Sequence, residues 1–181
     1  MREDGLYKQF RLGFEKFYNP LCLYANSFVK EHSVCEDIVQ EVFVRIWETR
    51  KDLVQSDNLR FYLFTAVRNN CLTHLSKEQR MPVYSLSDID LEDDDTADVT
   101  PAGDETLNYH ALLGQGIEQL PPKCKEVFLL CRLGELSNQQ VADSLGISVK
   151  TVNNQLWKAL KMLRAFVKNT GVVLLIFLWT A

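Results

Sequence analysis

Six side chains within nine positions, Lys150, Thr151, Asn153, Asn154, Gln155 and Lys158, carry only amide, hydroxyl and ammonium groups. That set suits nucleic acid. Lysines neutralise phosphates, and asparagine or glutamine can pair two hydrogen bonds with an adenine edge. The stretch around them, "LSNQQVADSLGISVKTVNNQLWKALKMLR" (136–164), shows how such side chains would be held. Ser137 suits the N-cap of a short helix, "NQQVADSL". Gly146 can supply the positive φ of a sharp helix exit. Ser148 then suits the cap of a second helix running from Val149 to about Lys168. Val141, Ala142 and Leu145 are placed to meet Ile147, Val152 and Leu156 across the turn. The pattern predicts a helix-turn-helix whose second helix enters a DNA major groove by its N-terminal end.

The charge distribution supports that reading. The 181-residue chain has a net charge of −4 and 46% hydrophobic residues. Residues 88–105 carry nine acids and no base, whereas residues 123–168 carry eight bases and three acids. The protein therefore divides into a nearly neutral first unit (1–80), an acidic connector (81–105), a basic second unit (106–170) and an apolar tail (171–181). The connector is too polar to offset its ordering entropy and is expected to be flexible. The run from Val172 to Trp179 is too short to span a membrane, which takes about 20 apolar residues. It is expected to be buried on this protein or on a partner.

The first unit reads as helical throughout. Two helices are expected to meet near Asn19-Pro20. A third, "SVCEDIVQEVFVRIWETR", has the capping-box spacing at Ser33 and Glu36. Its apolar face comprises Ile38, Val42 and Ile46 with Val39, Phe43 and Trp47. Glu36, Asp37, Gln40, Glu41 and Glu48 lie off that face. After a polar break, "KDLVQSDN", a fourth helix, "LRFYLFTAVRNNCLTHLS", carries Arg60, Arg68 and Asn69, with Thr65, Asn69 and Thr73 spaced along one exposed strip. The five cysteines include no CxxC pair, and the three histidines are scattered. No metal site, cofactor or small-molecule substrate is expected. No nucleophile–base pair or phosphate loop points to an enzyme. The charged N-terminus has no secretory core, which predicts a cytoplasmic protein with free thiols. The fold class is all-α: two small helical domains joined by a flexible acidic linker, the second containing a helix-turn-helix.

Two separate sets of motifs resemble one family. "IEQLPPKCKEVFLLCRLGELSNQQVADSLGISVKTVNNQLWKALKMLR" is similar to domain 4 of the extracytoplasmic-function (ECF) sigma factors. "EDIVQEVFVRIWE" and "NLRFYLFTAVRNNCLTHL" are similar to their domain 2. The resemblance implies a subunit that brings bacterial core RNA polymerase to promoter DNA. Asp37, Gln40, Glu41 and Glu48 would then dock on the polymerase. Lys51, Arg60, Tyr62, Arg68, Asn69 and Lys77 would lie along the minus-ten element. Ser148, Lys150, Thr151, Asn153, Asn154, Gln155 and Lys158 would meet the minus-thirty-five element. It also implies an anti-sigma factor or other regulatory partner, and a connector threading the polymerase's RNA exit path. Gln140 stands where the family usually has glutamate, and the amides at 153–155 replace residues that are often charged. A preference for A·T-containing sites with a moderate salt dependence follows. Two other readings stay open: a conventional helix-turn-helix regulator, and a sigma-like protein that needs a recruiting partner.

Overall fold

The computed structural model describes residues 2–80 and 113–169. The acidic connector and the apolar tail lie outside the described residues. Every described element is helical: α1 (Arg2–Asn26), α2 (His32–Thr49), a 3-10 turn (Lys51–Gln55), α3 (Leu59–Arg80), a segment over 113–118 (α4), α5 (Pro122–Arg132), α6 (Asn138–Leu145) and α7 (Val149–Asn169).

α1 runs unbroken through Pro20, where two helices were expected. Proline removes one helical hydrogen bond and crowds the preceding turn, at about 3 kcal/mol. Phe17, Leu21 and Tyr24 lie on both sides of it, all buried. Each contributes about 1.5–3 kcal/mol of apolar burial, which outweighs the break. The capping box expected at Ser33 and Glu36 does not form. α2 starts one residue earlier, at His32, with Glu31 as N-cap. The Ser33 hydroxyl donates instead to the Glu31 carboxylate at 2.8 Å. The stretch read as a polar break contains the 3-10 turn, anchored by buried Leu53 and Val54.

In the first unit α1, α2 and α3 enclose Leu21, Tyr24, Val39, Val42, Ile46, Leu63, Phe64 and Val67, each no more than 2% exposed. α2 buries Ile38, Val39, Val42, Phe43 and Ile46, as its apolar spacing predicts. Trp47 is half-buried against Tyr7 and Phe10.

In the second unit α5 enters through Pro121 at its N-cap and Pro122 at its first position, where a missing N–H costs nothing. Val152, Ala159 and Leu163 recur on one face of α7 and are buried with Val127, Phe128, Leu130 and Val141. Ser137 and Gln140 form a reciprocal capping box. Gln140 thus does what glutamate does at that position, because the box needs only a side-chain oxygen to accept the Ser137 N–H. Ser137→Ala is expected to destabilise the second unit by about 1 kcal/mol, seen as a lower urea midpoint at unchanged slope. Gly146 holds φ +64° and ends α6, as the turn requires. Open space surrounds its Cα, so a side chain there would be opposed by the left-handed backbone alone.

Candidate nucleic-acid and polymerase interfaces

The fold separates the candidate residues into three faces. On α2, Asp37, Gln40, Glu41 and Glu48 are all exposed along one stripe. Gln40 approaches the Tyr18 hydroxyl at 3.4 Å, and Glu41 pairs with Arg45 one turn on at 3.4 Å. The stripe has an apolar centre that the sequence reading missed. Val44 is 53% exposed, one turn from Gln40, Glu41 and Glu48. Its position off the buried face of α2 was the available signal. An exposed aliphatic side chain flanked by acids and an amide is chemically able to dock a partner, the charge giving orientation and the apolar centre affinity.

On α3 the residues divide. Asn69 and Lys77 are exposed. Lys51 lies over the Trp47 ring at 4.7 Å, and Tyr62 is covered by the Arg50 guanidinium at 5.5 Å. Arg50 is itself held by both carboxylate oxygens of Asp52, at 3.2 Å each. Phe64 is core, and Phe61 and Tyr62 are partly buried.

Arg60 and Arg68 are occupied by the second unit. Arg68 Nε donates to Glu126 of α5 at 2.6 Å, with both side chains about one-fifth exposed. Arg60 reaches the Glu135 carboxylate at 2.7 Å and its carbonyl oxygen at 3.4 Å. Glu135 adopts a positive φ of 46°, uncommon for a side-chain-bearing residue, which presents both oxygens to the arginine. The Thr65 hydroxyl meets that of Ser144 on α6 at 3.2 Å. Lys30 meets Glu118 at 3.4 Å, and Glu118 also binds Lys125 at 2.6 Å. Among the described residues the buried Tyr24 hydroxyl has no hydrogen-bond partner; burial raises its pKa, with the Glu126 charge adding to the effect. Two of the few acids in the basic second unit thus pair with Arg60 and Arg68 of α3. Thr65, expected on an exposed strip, is covered.

The helix-turn-helix brings the third set together at the start of α7. Ser148 Oγ accepts from the Thr151 backbone N–H at 3.1 Å and lies 2.8 Å from the Thr151 hydroxyl. Lys150, Asn153, Asn154 and Lys158 are exposed, and Gln155 is half-buried. The amides are not equivalent. Asn153 Oδ1 accepts from Asn138 Nδ2 at 2.7 Å, and Gln155 Oε1 accepts from the buried Cys124 thiol at 2.9 Å. Further along the outward side of α7, Trp157 is 65% exposed and Lys161 lies 5.1 Å from its ring centre.

Burial raises the thiol pKa values of Cys22, Cys35 and Cys131, and pushes that of Cys71 up to about 12. These thiols stay protonated near neutrality and are poor nucleophiles. Among the described residues no group of three His, Cys, Asp or Glu side chains is arranged to hold a metal. No described helix is long and apolar enough to cross a membrane.

Comparison with known proteins agrees with the all-helical fold. Residues 14–81 match the family model "Sigma-70 region 2", and residues 110–163 match "Sigma-70, region 4". The chain is 23% identical over 140 residues to RNA polymerase sigma factor SigV of Bacillus subtilis, covering 77% of this chain and 80% of that one. It is 25% identical over 163 residues to ECF RNA polymerase sigma factor SigK of Mycobacterium ulcerans, covering 85% of each. Among solved structures it resembles the sigma factor RpoE in complex with the anti-sigma factor NepR from Bartonella quintana. That likeness has a TM-score of 0.59 at 19% identity and covers 89% of this chain and 98% of that one. It also resembles CnrH in complex with the cytosolic domain of CnrY, with a TM-score of 0.56 at 20% identity over 88% of each chain. With region 2 on the first helical unit and region 4 on the helix-turn-helix unit, in that order, the chain belongs to the sigma-70 family, as an RNA polymerase sigma factor of the ECF group.

Proposed function

We propose that the chain engages core RNA polymerase through α2 and promoter DNA through α3 and α7. Asp37, Gln40, Glu41 and Glu48 around Val44 dock on a basic surface of the polymerase. Arg60, Arg68, Asn69 and Lys77, with Lys51 and Tyr62 beside them, follow the minus-ten element. Ser148, Lys150, Thr151, Asn153, Asn154, Gln155 and Lys158 meet the minus-thirty-five element. The observation that carries this reading is the pairing of Arg60 and Arg68 with Glu135 and Glu126. Arginines that serve phosphates are held by carboxylates of the other DNA-binding unit, so the same guanidinium groups cannot serve both partners. DNA binding by α3 then requires the two units to part, and core polymerase is the partner that parts them. A regulatory protein that holds the units together would keep the factor silent. Of the two solved structures the chain resembles, one holds its sigma factor in complex with an anti-sigma factor and the other holds CnrH in complex with the cytosolic domain of CnrY.

The test is reconstitution. The purified chain should retain bacterial core polymerase in a pull-down, and the complex should start run-off transcription at defined sites on a genomic fragment library. Core binding without initiation would favour a sigma-like protein that needs a recruiting partner. DNA binding without core binding would favour an ordinary helix-turn-helix regulator.

A further inference from the structure

We infer that Asn138, which makes no DNA contact in the reading above, sets which base Asn153 reads by fixing the direction of its amide. The inference rests on the proposed contact of α7 with the minus-thirty-five element. Asparagine reads adenine by donating to N7 while accepting from the N6 amino group, so both ends of the amide must face the base. Here one end is committed. Asn153 Oδ1 accepts from Asn138 Nδ2 at 2.7 Å, across the turn between α6 and α7. Asn138 is oriented from its other side, where its own Oδ1 lies 3.8 Å from the Cys131 thiol. Asn153 therefore turns its oxygen inward and presents its NH2 group outward from an exposed position on α7.

An outward NH2 is a donor alone. It fits acceptor edges in the major groove: guanine O6 and N7 or thymine O4, with adenine reached through N7 alone and its N6 amino group unpaired. Gln155 repeats the arrangement, because its Oε1 accepts from the buried Cys124 thiol at 2.9 Å. Of the three consecutive amides, Asn154 alone has no side-chain partner within the described residues, so both its groups remain available for an adenine. The bidentate adenine contact expected from composition narrows to that one residue.

Asn138→Asp tests this directly. The change is nearly isosteric, and an acid at the first position of α6 suits the helix dipole. A carboxylate only accepts, so Asn153 must rotate, donate its NH2 to position 138 and face its oxygen outward. Holoenzyme carrying each version would be used to select from a promoter library randomised across the minus-thirty-five element. At one base position the preference should move from guanine or thymine to adenine or cytosine, by about tenfold. The other positions should keep their preferences, and overall affinity should fall with the added negative charge. An unchanged preference at every position would overturn the inference. A uniform loss of selectivity would also overturn it, since that would mark a merely structural role.

The side-chain amide protons of the full chain give a reading that needs no DNA. In the native protein the Asn138 NH2 should be protected from exchange and the Asn153 NH2 free, with protection passing to Asn153 in Asn138→Asp. A freely exchanging Asn138 amide would sink the inference whatever the promoter selection shows. If native holoenzyme selects no sequence at all, the proposed function fails, and the amide measurement still decides the orientation.

Discussion

A chain carrying Thr65→Cys and Ser144→Cys, once oxidised, is expected to lose promoter-dependent transcription with core polymerase, and reduction is expected to restore it. The two native hydroxyls stand 3.2 Å apart across the contact between α3 and α6, close enough for thiols in their places to bridge. The bridge would hold Arg68 against Glu126 and Arg60 against Glu135, leaving neither arginine for DNA. The ion pairs alone do not lock the units. The Arg60–Glu135 pair is partly exposed and screened by salt, and even the better-buried Arg68–Glu126 pair offsets desolvation against attraction. Polymerase binding can therefore open the native contact but not a covalent one. The native cysteines interfere little, because the raised pKa values of Cys22, Cys35, Cys71 and Cys131 keep them as thiols and Cys124 is buried. Each single variant supplies the control. Full activity of the oxidised double variant, with the bridge confirmed by mass, would show that the units need not separate.

Phe64→Ala is expected to destabilise the first unit by about 3–5 kcal/mol, the range for removing a fully buried aromatic ring. Phe64 is fully buried, 5.4 Å from the ring of Tyr24, which is equally buried and itself meets Phe28 edge-on. Helices α1 and α3 both pack on this cluster, so its loss is felt at the surface that carries Arg60 and Arg68. A domain's whole stability is about 5–15 kcal/mol, and the variant should unfold the first unit near body temperature. Urea denaturation followed by far-ultraviolet circular dichroism measures the change. Leu72→Ala, about two turns along α3 and 40% exposed, should cost far less. Equal losses at the two positions would mean that the Tyr24–Phe64 contact is not the centre of this core.

The local elements were legible where short-range chemistry decides them. The Ser137 cap, the left-handed Gly146 and the Ser148 cap are each set by interactions within four residues, and each lies where its spacing predicts. The apolar face of α2 follows from its period, because a helix can bury only one side. Misreadings arose where a distant contact outweighed a local preference. Pro20 should break a helix, yet the buried residues on either side of it keep α1 whole. Ser33 and Glu36 have capping spacing, but α2 begins before them. Leu53 and Val54 sit in a polar stretch, yet the first unit buries them.

The all-helical class, the order of the two units and the helix-turn-helix can be read from residue types and spacing alone, because periodicity, caps and turn residues act over a few positions. That Arg60 and Arg68 are held by Glu135 and Glu126, residues 75 and 58 positions away, follows from long-range packing. The same packing gives the side-chain oxygens of Asn153 and Gln155 their donors, Asn138 and Cys124. Such pairings depend on where helices far apart in the chain come to lie. That placement is set by the summed burial of many apolar side chains, which no single short stretch encodes.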